Sequence, residues 1–250
     1  MFPIFLKIGP ITIYYYGIFV SLGVLLGYFI CLREARRQGI NTAAFFNVIF
    51  WTIVFSFIGA KFIYILINFR EFIRQPLTMI RTGFVFYGGI IFGLVALYLL
   101  TKKYSLNFRK IADILSLGIP LSHALGRFGC FSYGCCYGKP TDSFIGMLFP
   151  PDSPAGSLGV KVIHAQLIEA FFLILIFLIL MNLKKNKRFE GQLFLYYLFL
   201  YCILRFIIEF FRGDERGGMF FLSVSQFISI FVIILGVILW QRWKGPKAAL

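Results

Sequence analysis

Seven apolar runs dominate the sequence, each close to the roughly 20 residues a helix needs to cross the hydrocarbon core of a bilayer. They cover about Ile11–Cys31, Ala43–Ile67, Gly83–Leu100, Ile111–Leu125, His164–Leu183, Gln192–Phe211 and Phe220–Trp240. The fourth is short and is interrupted by Pro120. A lipid interior leaves no water for unpaired backbone groups, so each run predicts a helix. Composition agrees. Hydrophobic residues make up 60% of the 250 and charged residues only 14%, against about 25% charged in soluble domains. That excludes a soluble globular domain, and the 33 Phe exclude a disordered chain. Five Cys are too few for a disulfide scaffold. The first run lacks the basic start and small-residue cleavage pattern of a signal peptide, so it is expected to stay as a helix. The expected fold is an all-α integral membrane protein of about seven spans. It forms a single polytopic domain over residues 1–250, with an outer loop or head region at about 126–163.

The net charge of +15 then needs a location, since nucleic-acid surfaces and cytoplasmic membrane faces both collect Lys and Arg. Fourteen of the 25 basic residues fall in alternate loops: Arg33, Arg36 and Arg37; Lys102, Lys103, Arg109 and Lys110; Lys184, Lys185, Lys187 and Arg188; Arg242, Lys244 and Lys247. The other side holds Lys7, Arg70, Arg74, Arg81, Arg127, Lys139, Lys161, Arg212 and Arg216. The positive-inside bias puts the N-terminus outside and the C-terminus in the cytoplasm. The basic excess is thereby a topology signal, and no nucleic-acid partner is expected.

Charges inside the spans ask for another reason, because each costs roughly 2.5–3.5 kcal/mol on insertion scales and usually faces a partner or a polar cavity. They are Lys61, Glu169, Arg205 and Glu209. Arg205 and Glu209 are spaced to pair along one helix, with Arg212 near its outer end. One reading is an ion pair plus a snorkelling arginine. The other is a cationic pocket for an anionic lipid head group, which the planar fork of Arg suits. Lys61 would orient a lipid phosphate or pair structurally. Gly23 and Gly27 form a small-xxx-small step that predicts close helix packing. Arg70–Arg81, with Phe69, Phe72 and Pro76, predicts an amphipathic arm at the outer interface.

The longest outer loop is expected from Gly126 to about Ile163 and opens Gly126-Arg127-Phe128-Gly129-Cys130-Phe131-Ser132-Tyr133-Gly134-Cys135-Cys136-Tyr137-Gly138. Its glycines permit positive φ or close approach to a ligand. Four explanations stand for its three cysteines: packing of a re-entrant turn, a disulfide from Cys130 to Cys135 or Cys136, a reactive thiolate near Arg127, or a metal site. For the metal only His123 is a nearby imidazole.

Here the sequence resembles the prolipoprotein diacylglyceryl transferases, whose signature reads Gly-Arg-x-Gly-Asn-Phe-x-Asn-x-Glu-x-x-Gly. The match holds at Gly126, Arg127, Gly129, Phe131 and Gly138. The likeness continues along the chain in order. It takes in Ile8-Gly9-Pro10 through Tyr14, Tyr16 and Gly17, then Gly88-Gly89-Ile90, then His164-Ala165-Gln166-Leu167-Ile168-Glu169. The stretches Arg205–Arg212 and Ser223-Val224-Ser225-Gln226 complete it. Departures fall on the chemistry: Tyr87 stands for the family's His, Cys130 and Tyr133 for its two Asn, and Cys135 for its Glu.

The resemblance implies an enzyme of the bacterial inner membrane that works without a metal or cofactor. It would move diacylglyceryl from phosphatidylglycerol to the lipobox cysteine thiol of a secreted precursor. It implies catalytic roles for Tyr16, Arg127, Arg205 and Glu209, and the departures add Tyr87, Cys130 and Cys135 as catalytic candidates with altered chemistry. Lipid contacts would come from Arg127, Gly129, Gly138, Gln166, Glu169, Arg205, Arg212 and Lys61. A general base is needed. Tyr16, Tyr87 and Tyr133 are candidates, as is Glu209 unless Arg205 holds it. His123 and His164 read first as structural residues near span ends. The departures keep two alternatives open: a paralogue with another acceptor, and a lipid-binding or lipid-moving protein without catalysis.

Overall fold

The computed structural model describes residues 4–9, 11–214, 218–219 and 222–245. Pro10, Arg216, Phe220 and Lys247, invoked above, lie outside the described residues. Among the described residues, seven helices are long and apolar enough to cross a membrane: α1 (Tyr15–Arg37), α2 (Thr42–Ile67), α5 (Phe86–Lys103), α6 (Phe108–Tyr133), α7 (Ala165–Leu183), α8 (Gln192–Glu209) and α9 (Val224–Lys244). Two short helices, α3 (Phe69–Arg74) and α4 (Pro76–Arg81), stand between α2 and α5. Small antiparallel pairs join β1 (Ile4–Ile8) to β2 (Ile11–Tyr14), β3 (Gly146–Met147) to β4 (Val162–Ile163), and β5 (Gly218–Met219) to β6 (Leu222–Ser223). The chain is an all-α integral membrane protein. Its packing divides it into two compact units, residues 1–31 with 112–250, and residues 32–111.

In the larger unit the core is built where α6, α7 and α8 interdigitate. Leu117 and Ala124 pack with Ala170, Leu173, Ile176 and Leu180, and with Leu193, Tyr197, Leu204 and Ile208. Outward positions such as Phe29, Phe171 and Phe231 are equally apolar but exposed, as a lipid-facing surface requires. Helix α1 crosses α6 through the predicted small-residue step. A Cβ on Gly23 would come 2.7 Å from the Ser122 carbonyl oxygen, and one on Gly27 3.1 Å from that of Gly118. Ser122 Oγ donates to the Gly23 carbonyl at 2.8 Å, a polar tie that the close approach permits.

Asp113, which the tally of intramembrane charges omits, is buried near the start of α6. It accepts from the backbone N–H of Gly191 (2.7 Å) and Phe194 (2.9 Å), and Lys187 Nζ lies 3.3 Å away. The carboxylate therefore occupies the N-terminal end of α8, where orphan N–H groups and the helix dipole favour an anion.

The smaller unit is organised by the α2–α5 pair. A Cβ on Gly88 would lie 2.7 Å from the Gly59 carbonyl oxygen and 2.8 Å from Ile63 Cβ. The Gly88-Gly89 stretch thus has a packing reason of its own. Lys61 donates to the carbonyls of Met79 (3.1 Å), Thr82 (2.7 Å) and Gly83 (2.9 Å), with its ammonium 4.4 Å from the Phe84 ring centroid. It closes the C-terminal end of α4, and its three donors are spent on backbone. The expected role at a lipid phosphate has no donor left to serve it. The Arg70–Arg81 arm is the α3–α4 pair, with Ile73 and Leu77 exposed and Met79 turned inward.

Of the span boundaries that differ from expectation, two bear on the site. Ile11–Tyr14 is a strand rather than a helix start, turned by Gly9 at φ +55°. The fourth span does not stop at Leu125. It runs through Pro120 and on through the first eight signature residues to Tyr133. Proline removes a single backbone donor, and Gly129 stays helical because α1 presses on it, as described below.

Bulk at the α2–α5 crossing should separate the two helices. Gly88→Val is expected to cost about 1–3 kcal/mol, read as a lowered thermal midpoint in detergent. Gly89→Ala, whose Cβ would be 3.2 Å from the Ser56 carbonyl oxygen, should cost less.

Candidate active site

The intramembrane charges of the larger unit meet as two ion pairs. Arg127 on α6 places Nη2 2.8 Å from Glu169 Oε1 on α7, with both side chains largely buried. Arg205 and Glu209 pair one turn apart on α8, as their spacing predicts. Both contacts are oblique, so the carboxylate oxygens are close to the charge without an aligned hydrogen bond. Arg205 Nη2 also donates to Ser225 Oγ at 3.0 Å, which ties α8 to α9. Ser223 and Gln226 form the capping box of α9, so part of that matched stretch starts the helix that carries Ser225.

Polar capacity remains after these pairings. Arg127 Nε and Arg205 Nη1 are buried donors with no hydrogen-bond partner among the described residues. Glu169 Oε2 and Gln166 Oε1 are buried acceptors in the same condition. Burying such groups unmatched is costly, and a polar ligand would satisfy them. His123 and Tyr201 stand within electrostatic reach of Arg127, Glu169 and Arg205, their rings 5.4 Å apart. His123 Nε2 is 3.8 Å from Glu169 Oε1. Tyr201 escaped the sequence reading, although it lies one helical turn before Arg205. The signal was there in the spacing, hidden among 13 tyrosines.

The signature stretch turns at its middle. Gly129 packs on Tyr16, where a Cβ would be 3.2 Å from the Tyr16 carbonyl oxygen. Tyr16 in turn lies within electrostatic reach of Cys130, Cys135, Cys136 and Arg127. Gly134, at φ +77°, ends α6, and its N–H reaches the Cys130 carbonyl at 3.0 Å. The next residues double back. Gln166 Nε2 donates to the Cys135 carbonyl at 2.7 Å. Gly138 N–H donates to the Ile163 carbonyl at 2.8 Å, and a Cβ there would meet the Phe211 carbonyl oxygen at 2.7 Å. Gly138 therefore serves close backbone packing, and the main-chain bridge from it to Arg212 brings the end of α8 to the loop. His164 Nδ1 is 2.7 Å from the Ile145 carbonyl, a structural tie at the start of α7.

Arg212 is buried and holds Asp214 through two 2.8 Å bonds, from Nε and Nη2. Burial opposes its charge, but hydrogen bonds to Asp214 and to the Cys136 thiol raise its pKa above the ordinary arginine value. The three loop cysteines are thiols rather than a disulfide. Hydrogen bonding to Cys130 and Cys136, together with burial, holds the Cys135 thiol above its usual range. The Cys136 thiol is held well below it by hydrogen bonds from Cys130 and Cys135, with the Arg212 guanidinium adding to the effect.

The structure brings Tyr16, Arg127, Gly129, Cys130, Cys135, Gly138, Gln166, Glu169, Arg205, Glu209 and Arg212 into one unit. Tyr133 is in that unit too, half exposed, with its ring edge to face with Tyr14. Tyr87 begins α5, and with Lys61 it belongs to the other unit.

Comparison with known proteins places these features in context. The family described as prolipoprotein diacylglyceryl transferase matches residues 3–242. The chain is 34% identical over 243 residues to the phosphatidylglycerol–prolipoprotein diacylglyceryl transferase of Clostridium tetani, covering 96% of this chain and 97% of that protein. It is 35% identical over 246 residues to phosphatidylglycerol–prolipoprotein diacylglyceryl transferase 2 of Clostridium perfringens, covering 96% of each. A similar transferase of Finegoldia magna is 35% identical over 244 residues.

Removing one partner of a buried ion pair leaves the other uncompensated. Glu169→Ala is therefore expected to cost about 3–5 kcal/mol and to lower the thermal midpoint in detergent. Glu169→Gln, which keeps an oxygen acceptor beside Arg127, should recover part of that loss.

Proposed function

This chain belongs to the prolipoprotein diacylglyceryl transferase family, and from that premise we propose how its buried polar site handles phosphatidylglycerol and a protein thiol. The chain is a multi-pass membrane transferase. Its donor is phosphatidylglycerol, and its acceptor is the lipobox cysteine of a secreted precursor at the outer face of the bacterial inner membrane. The crowding of basic residues into alternate loops supports that placement of the site.

One observation carries the reading of the site: two buried guanidiniums, Arg127 and Arg205, keep a donor each beyond their carboxylate partners. In the reaction the acceptor sulfur bonds to the glyceryl carbon, and the bond from that carbon to the phosphate oxygen breaks. Glycerol phosphate leaves with the electron pair, and the thiol proton passes to a base. Negative charge builds on the departing phosphate. Fixed cationic donors in a buried site stabilise the charge added to the departing phosphate more than the single negative charge of the ground-state phosphodiester, and the Arg fork matches phosphate oxygens. The acceptors Glu169 Oε2 and Gln166 Oε1 suit the hydroxyls of a glycerol head group, which a choline or ethanolamine head group lacks. Arg212, already bound edge-on by the Asp214 carboxylate, holds the loop rather than the lipid. Of the expected bases, Glu209 is engaged by Arg205, whereas Tyr16 sits with Arg127 and the loop thiols.

The replaced signature positions Cys130, Tyr133 and Cys135 favour one alternative, a transferase with a different acceptor. It would consume phosphatidylglycerol without lipidating a precursor.

The test is expression in cells depleted of their own transferase. The chain should restore growth and produce lipidated precursor, and failure of both with normal accumulation in the membrane would overturn the reading. Arg127→Ala should lower transfer by at least about 100-fold, the effect of removing one donor to developing charge. Arg127→Lys, which keeps the ion pair but not the fork, should recover only part.

A further inference from the structure

We propose that Cys130, Cys135 and Cys136 form a trithiolate site for a thiophilic d10 cation, Zn2+ or Cu+. The argument begins with distance. The three Sγ atoms lie within 4.8 Å of one another. A Zn–S bond of about 2.3 Å in tetrahedral geometry separates its sulfurs by roughly 3.8 Å, so small side-chain movements close the site. Thiolate donors select soft cations such as Zn2+ and Cu+ over hard ones.

The backbone prepares this arrangement. Cys130 sits on the last turn of α6, and Gly134 reverses the chain at once. Both Gly134 and Cys135 donate their N–H to the Cys130 carbonyl, at 3.0 and 3.1 Å. Cys136 is held at φ +61°, a conformation costly for a side chain with a Cβ. The turn is fixed from outside by Gln166 on the Cys135 carbonyl and by Gly213 N–H on the Tyr137 carbonyl at 3.2 Å. All three thiols are partly accessible rather than sealed in the core. A turn that only needed packing could place small residues here without gathering three sulfurs.

Charge fits as well. Three thiolates around Zn2+ leave one net negative charge, and around Cu+ two. Arg212, which hydrogen-bonds Cys136, and Arg127, within electrostatic reach of Cys130 and Cys136, supply the positive surroundings for such a complex. With three protein ligands, Zn2+ keeps a fourth position for water, whereas Cu+ is satisfied by three. The thiol protons are released to solvent as the metal binds.

The test uses the full-length protein, reduced, stripped of metal and reconstituted in nanodiscs, titrated separately with Zn2+ and with Cu+. One equivalent of at least one ion per chain should bind and protect Cys130, Cys135 and Cys136 together from alkylation, read by peptide mass mapping. Co2+ in place of Zn2+ should give a thiolate-to-metal charge-transfer band. Cys135→Ser and Cys136→Ser should lose stoichiometric uptake, while Cys202→Ser keeps it. Absence of uptake of either ion by the unaltered protein would overturn the proposal. So would uptake that leaves the three thiols open to alkylation, which also guards against a variant that merely misfolds. No turnover enters these readings, so a failed rescue of transferase-depleted cells leaves them standing, and the converse holds.

Discussion

A guanidinium in a bilayer has to be matched, and the larger unit is arranged around that demand. Arg127 reaches Glu169 on the neighbouring helix, and Arg205 reaches Glu209 on its own. Each pair lowers the cost of a buried charge without exhausting the donors of the fork. This is the difference between a structural ion pair and a binding site. A fully satisfied pair resembles an expensive piece of core, often replaceable by apolar side chains. A pair with a donor left over is incomplete until something anionic arrives. Asp113 and Lys61 show the satisfied kind: the carboxylate is taken up by two N–H groups and the ammonium by three carbonyls.

Small residues make the arrangement rigid. Without water to drive helices together, membrane helices associate by close backbone contact. Gly23 and Gly27 against α6 and Gly59 against Gly88 occur where a Cβ would collide, and Gly129 against Tyr16 where one would be tight. Two of these contacts lie in stretches that first draw attention as functional motifs. Gly129 lets α1 come close enough to set Tyr16 beside the end of α6, and it thereby determines where the phenol sits. The distinction between a packing glycine and a site glycine dissolves here, because the packing positions the site.

Period and length made the spans legible: seven apolar runs became seven helices. The Arg205–Glu209 spacing likewise announced its ion pair. What stayed hidden was tertiary. Arg127 and Glu169 are 42 positions apart, and nothing local says that they meet. Gly126–Tyr133 looked like a loop because glycine and cysteine are poor helix formers. It is helix because contact with Tyr16 and an N-terminal run of good pattern outweigh propensity. The place of Lys61 in a span leaves a lipid phosphate and a structural partner equally open, and only the fold back of α4 reveals the carbonyls that it serves. The hairpin Ile4–Tyr14 escaped because its apolar residues merge with those of α1.

The departures from the family signature then acquire a pattern. The cationic side of the site, Arg127, Arg205 and their acids, is intact and buried. The replaced residues Cys130 and Cys135 line the turn that ends α6, with Tyr133 beside them on a half-exposed surface, and Tyr87 opens α5 in the smaller unit. On the proposed reading, recognition of an anionic lipid depends on charge in a place where charge is costly, so a change there is penalised in folding as well as in function. The thiols of the turn that follows Arg127 carry no such burden. They are partly accessible, the backbone of the turn is held by contacts from Gln166, Ile163 and Arg212 that do not involve the replaced side chains, and new chemistry can be installed without disturbing the ion pairs beneath. Under the proposed function, such a site could change what it does with a thiol while its cationic residues continue to serve the lipid.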